Sequence, residues 1–174
     1  TEYRKIRQKL EGPDYFKKML IDSYDYKEIE VGNSVKNDLK QNLEVYYNLD
    51  KHIAPKAKIL HLGNDYGQLD VLMALQEPQR KIVSFINDEE KLLVTKTNYI
   101  VTKRKIVYLN KLESALESHF DTLLISDENY PDEIVKVISN VAFIILVNCS
   151  RLKNQFENFE IVSEENALIV LKKK

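Results

Sequence analysis

From Lys58 to the C-terminus, short apolar runs alternate with stretches of helical spacing. Lys58–Leu62, Lys81–Ile86, Ile106–Leu109, Asp121–Ser126 and Ala142–Val147 are brief and apolar, and they predict strands. Between them, Gln68–Gln76 reads as a helix ended by Glu77-Pro78, and Asp88–Ile100 as a helix opened by an Asn87-x-x-Glu90 capping box. Leu112–His119 predicts a short helix. A further helix runs to about Ser139, with Pro131 in the first turn, where proline is tolerated. Continuous apolar strands suit a parallel sheet covered on both faces, joined by right-handed crossovers.

The pattern changes at the end. Phe159–Ser163 and Ala167–Leu171 are strands joined by the polar turn Glu164-Glu165-Asn166, which makes them an antiparallel pair. The link from Asn148 to Asn158 is near the lower limit for a crossover, so an incomplete outer layer is expected there.

The first fifty residues are charged and rich in tyrosine. Glu2–Leu10 and Tyr15–Tyr24 read as helices separated by Gly12-Pro13. Gly32-Asn33-Ser34 reads as a second break, with Asn33 or Ser34 as N-cap of a helix over Val35–His52. Val35, Leu39, Leu43, Tyr46 and Tyr47 form one apolar face of that helix, expected to pack on the main domain. The alternative is that Tyr24, Tyr26, Tyr46 and Tyr47 line a partner surface. The whole predicts an α/β, Rossmann-like fold: a seven-strand, mostly parallel sheet with a C-terminal antiparallel hairpin. Residues 1–52 form a helical N-terminal segment or linker, and 53–174 the sheet domain.

Composition narrows the function. A hydrophobic fraction of 44% is enough for a core, and a net charge of −1 without a basic stripe argues against a nucleic-acid partner. No apolar run approaches the roughly 20 residues of a membrane span, so neither membrane insertion nor a signal peptide is expected, and a cytoplasmic location is. The single cysteine, Cys149, reads as a small apolar filler, and three histidines without paired spacing give no metal site. The chain opens at Thr1 rather than methionine, so a piece of a longer protein is expected.

The chemically suggestive stretch is Ile59-Leu-His-Leu-Gly-Asn-Asp-Tyr-Gly-Gln-Leu69: strand, glycine-bearing turn, helix. Glycines let a ligand approach the backbone, and a helix N-terminus favours negative charge. With Phe120-Asp-Thr-Leu-Leu-Ile-Ser-Asp127 and Ala167-Leu-Ile-Val-Leu171, it resembles the class I S-adenosylmethionine-dependent methyltransferases over about Ile53 to Lys174. That resemblance implies a cofactor site at Gly63, Asn64, Asp65 and Gly67, with Asp88 as a displaced ribose ligand. It also implies a methyl-acceptor site bordered by Asp127 and Glu128, either of which could be a general base.

The match is incomplete. The family's acid at the end of the first strand is His61 here, its central glycine is Asp65, and its ribose-binding acid falls at Ile86. Asp65 would face the cofactor's own carboxylate, a repulsion of about 4 kcal/mol at ~4 Å and an effective dielectric of ~20. Ile86 forfeits charge-assisted hydrogen bonds worth about 1.5–3 kcal/mol. The competing structural reading makes Gly63 and Gly67 a tight turn, Asp65 the cap of the following helix, His61 a buried strand-end residue, and Asp127 and Glu128 a solvated loop. Nicotinamide binding fits worse, since Gly-x-Gly-x-x-Gly would need glycine at Asp65 and Gln68.

A second resemblance lies in Tyr15-Phe-Lys-Lys-Met-Leu-Ile-Asp-Ser-Tyr-Asp-Tyr-Lys27, continued by Val35-Lys-Asn-Asp-Leu39. It is similar to the region that follows the glycerolipid acyltransferase domain in large bacterial multidomain proteins. This implies a C-terminal piece of such a protein, with the other domains of the chain as partners. None of His52, His61 or His119 has the Asp that acyl transfer of that type needs. Two functions follow. One is a methyltransferase-like accessory or interaction domain that has lost activity, with no cofactor expected. The other is a working enzyme that takes S-adenosylmethionine and a small-molecule or lipid-like acceptor.

Overall fold

The computed structural model describes residues 29–98 and 104–174. The expected helices Glu2–Leu10 and Tyr15–Tyr24, the acyltransferase-associated run to Lys27, and residues Tyr24 and Tyr26 lie outside the described residues. A seven-stranded sheet carries the order β3-β2-β1-β4-β5-β7-β6. Its strands are β1 Lys58–Gly63, β2 Lys81–Ile86, β3 Ile106–Leu109, β4 Thr122–Ile125, β5 Phe143–Val147, β6 Phe159–Glu165 and β7 Leu168–Lys173. The first five are mutually parallel, and β7 runs antiparallel between β5 and β6. Thus the expected fold class is observed, hairpin included.

The side chains of β1 alternate between two apolar layers. Ile59 joins one face with helices α1 (Ile29–Asp50), α2 (Gln68–Gln76) and α3 (Glu89–Thr97). Leu60 and Leu62 join the other, beneath the 3-10 turns Leu112–Ala115 and Asp132–Ile134 and the short helix α4 (Val135–Ile138). Period-two alternation thus puts His61 on the α2 side.

Several local expectations change. Gly32-Asn33-Ser34 does not interrupt α1, because Val31, Val35, Leu39, Leu43, Tyr46 and Leu49 bury one continuous stripe. That burial outweighs the roughly 1 kcal/mol a mid-helix glycine costs. The apolar face of α1 packs on the sheet domain as expected, with Tyr46 in the core and Tyr47 against it, so the alternative partner surface does not hold for these two. The cap of α3 is Asp88, not Asn87: its Oδ1 accepts the Lys91 N–H at 3.0 Å. Pro131 is extended at ψ 150 and precedes the 3-10 turn, and the expected helix Leu112–His119 shortens to Leu112–Ala115.

The thin layer after β5 is present. The link to β6 holds one 3-10 turn, Ser150–Leu152. Beside it opens a hollow of about 750 Å³ between α4 and the hairpin, walled by Val135, Ile138, Phe156 and Phe159. Cys149 lies buried in the layer next to it, and burial pushes its thiol up to about 11, as suits an apolar filler.

On the other face, one cation organises the connections. Arg80 is buried just before β2, ion-paired with Asp50 at the end of α1. Its guanidinium also donates to Ile53 O at 2.8 Å, Met73 O at 3.0 Å and Ala54 O at 3.2 Å. It thereby ties the turn after α1 to the last turn of α2.

Candidate functional site

The carboxyl ends of β1 and β4 meet where the strand order reverses direction, the usual crevice of an open α/β sheet. Here the loop Gly63–Gly67 leads into α2. Gly67 has φ +87, a conformation glycine adopts without strain, and a Cβ there would stand 2.6 Å from the Tyr108 hydroxyl. Asp65 Oδ1 accepts the Gly67 N–H at 3.0 Å, while the Gln68 side chain accepts the Tyr66 N–H at 2.9 Å. Asp65 therefore shapes the turn. It does not cap α2, whose N-cap is Gly67 without a side-chain bond.

Beneath the loop, His61 is fully buried. Its Nδ1 lies 2.8 Å from Asp70 Oδ1 and its Nε2 lies 2.7 Å from Ser126 Oγ. Asp70 is equally buried, and its Oδ2 has no hydrogen-bond partner among the described residues. Burial would push the imidazole down, but the charge and hydrogen bond of Asp70, with Asp65 adding, hold it above its ordinary value. Asp65 is half-buried, and loss of water pushes its carboxyl up to about 6; His61 and the Gly67 N–H pull against that, Asp70 and Asp38 with it.

Further polar groups reach the loop from α1. Asp38 accepts from the Tyr46 hydroxyl at 2.8 Å, from Gln68 Nε2 at 3.0 Å and from Asn42 Nδ2 at 3.0 Å. Burial and the neighbouring Asp38 drive the Tyr46 hydroxyl far up, so it remains a donor. Asn148, past β5, donates to Asn42 Oδ1 at 3.1 Å and ties α1 to the same rim.

The expected site residues separate. Gly63, Asn64, Asp65 and Gly67 share the loop. Asp88 stands apart at the start of α3, its carboxyl engaged with the α3 backbone. Ile86 is completely buried at the end of β2. Lys91 closes the gap between α3 and the loop: Nζ donates to Asn64 O at 3.0 Å and lies 5.6 Å from the Tyr66 ring centre. Asp127 accepts the Asn129 N–H at 3.1 Å in a tight turn, and its own N–H reaches Leu62 O at 3.2 Å. Glu128 is ion-paired with Arg151, whose hydrogen bond holds the carboxyl below its ordinary value and makes it a weak base.

Sequence reasoning missed Asp70, Ser126, Asp38 and Lys91. A signal existed for Asp70, a lone acid within the almost wholly apolar Gln68–Gln76, which had to find a buried partner. No group of three or more potential metal ligands occurs among the described residues.

No family model matches the chain, and no curated protein matches it. Solved structures do. TrmN from Thermus thermophilus is 13% identical with a TM-score of 0.58, over 75% of this chain and 48% of TrmN. TrmK of M. capricolum, in complex with S-adenosyl-homocysteine, is 14% identical with a TM-score of 0.51, over 74% and 67%. The B. subtilis M1A22 tRNA methyltransferase TrmK is 13% identical with a TM-score of 0.54, over 74% and 65%. The fold is the class I methyltransferase fold. This chain spans about half the length of TrmN and about two thirds of the TrmK chains.

Proposed function

We propose that this chain is a methyltransferase-fold domain that has given up its methyl donor and serves as an accessory or interaction module. The observation that carries this reading is the closed His61–Asp70–Ser126 chain at the position where the family places its first acid. Each other donor-gripping position is also otherwise engaged. Ile86 is buried where a ribose acid would stand, Asp88 caps α3, and Asp65 is bonded to the turn and charged against the donor's carboxylate. The residues present do not fit S-adenosylmethionine.

In this reading the domain is the C-terminal part of a larger, lipid-related bacterial protein of the glycerol acyltransferase type, with residues 1–52 as linker and 53–174 as the module. Its partners are the other domains of that chain, and its place is the cytoplasm. None of the described helices is long and apolar enough to cross a membrane.

A second reading, an active methyltransferase on a small-molecule or lipid-like acceptor, draws support from the retained left-handed Gly67 turn and the shared fold. Isothermal titration with S-adenosylmethionine and S-adenosyl-homocysteine separates the two. Heats no larger than dilution are expected. A one-to-one micromolar isotherm overturns the accessory reading.

A further inference from the structure

The polar chain under the loop has the layout of a nucleophile, its base and the acid that orients the base. We infer that Ser126, His61 and Asp70 form an acyl-accepting relay, with Ser126 Oγ able to take the acyl group of a small carboxylic ester.

Several independent features meet in this arrangement. Asp70 Oδ1 at 2.8 Å from Nδ1 requires hydrogen on Nδ1, which in the neutral ring leaves the Nε2 lone pair facing Ser126 Oγ at 2.7 Å. The other oxygen of Asp70 is buried and has no hydrogen-bond partner among the described residues, so its hydrogen bond there runs to the imidazole. A structural histidine would be served by a satisfied acceptor. An acid left half-satisfied is an exception that calls for a function. Gly63 covers the pair: a Cβ there would lie 2.8 Å from Nε2 and 3.1 Å from Oγ, so the bare backbone is what leaves the contact intact. Ser126 is half-buried rather than enclosed, at the carboxyl end of β4, beside β1 in the crevice of the sheet. The N-terminus of nine-residue α2 stands at the same loop, where developing negative charge is favoured.

The step balances without any cofactor. Ser126 Oγ bonds to the carbonyl carbon while its proton passes to His61 Nε2. The tetrahedral adduct collapses, the ester C–O bond breaks, and the departing alkoxide takes that proton. Water then attacks the acyl-serine and gives a proton to Nε2, which returns it to Ser126 as the carboxylic acid leaves. Asp70 stays a carboxylate throughout. The charged groups facing His61 are Asp70 from α2 and Asp65 from the loop, with Asp38 of α1 behind Asp65. Ionised Asp65 keeps His61 protonated and opposes an oxyanion, so it restrains the reaction.

The test is a fluorophosphonate probe applied to the whole folded chain, with the adduct mapped by peptide mass spectrometry. One adduct per chain at Ser126 is expected, lost in Ser126→Ala and slowed at least about 100-fold in His61→Gln. The wild-type labelling rate should rise with pH along a single limb centred above the ordinary imidazole value. Asp65→Asn should move that limb to lower pH. Absence of a Ser126 adduct, an adduct elsewhere, or a labelling rate without that limb overturns the assignment. Titration with the methyl donor bears on the accessory reading alone, so the two can fail separately.

Discussion

Gly63 presses its backbone against the ring of His61 so closely that one added methyl would sit 2.8 Å from Nε2 and 2.9 Å from Cε1. The ring cannot retreat, since Asp70 holds its far side and the site is fully buried. Gly63→Ala is therefore expected to cost about 1–3 kcal/mol, the usual penalty for overpacking. Urea denaturation measures it. A change below about 0.5 kcal/mol would mean that the loop gives way instead.

The pairing of His61 with Asp70 sets a second expectation. His61→Leu leaves a fully buried carboxylate without its ion-pair partner, and the loss should be about 3–5 kcal/mol. Replacing both, His61→Leu with Asp70→Leu, should recover most of it. If the double variant is as unstable as the single one, packing around the ring dominates and the ion pair matters little.

Stability should depend on pH in one direction. Asp65 titrates near 6 in the folded chain against an ordinary 3.8, so between these values the native state holds the extra proton and stability falls as pH rises. His61 has a raised value too, so its pairing contributes fully below about 6.5 and is lost as pH climbs through the raised value. The two add: the chain should be more stable near pH 4–5 than near pH 8. Asp65→Asn should remove the lower part, of order 1–3 kcal/mol. Denaturation midpoints across that range, for both proteins, check it.

Arg80 should be the most sensitive position away from the loop. Arg80→Met keeps an unbranched apolar stem but strips donors from Ile53 O, Met73 O and Ala54 O and leaves Asp50 without its ion pair. A loss of about 3–5 kcal/mol is expected. Thermal unfolding of the variant would show it directly.

The sheet could be read from the chain because its signals are local. Lys81–Ile86 and Ile106–Leu109 are apolar runs bounded by charges and turns, and both strands have the expected limits. The hairpin followed from a turn too short for anything else. Where long-range packing decided the outcome, local reading failed: Gly32-Asn33-Ser34 looks like a break until six apolar side chains of α1 are seen buried together. The candidate site follows the same division. The Gly63–Gly67 turn is a contiguous word in the sequence, whereas Ser126 lies 65 residues from His61 and carries no mark of its partner. Asp127 and Glu128, the more conspicuous neighbours, are engaged with a turn and with Arg151.

The brief Asn148–Asn158 link leaves the protein with unequal walls. Three helices bank against one side of the sheet, while the β6 margin has a single short turn and a hollow beside it. Most of β6 faces water, including Ile161 and Val162. Such a margin has the least buried contact to surrender when the molecule breathes, so amide exchange begins at β6 and works inward, reaching β1 and His61 last.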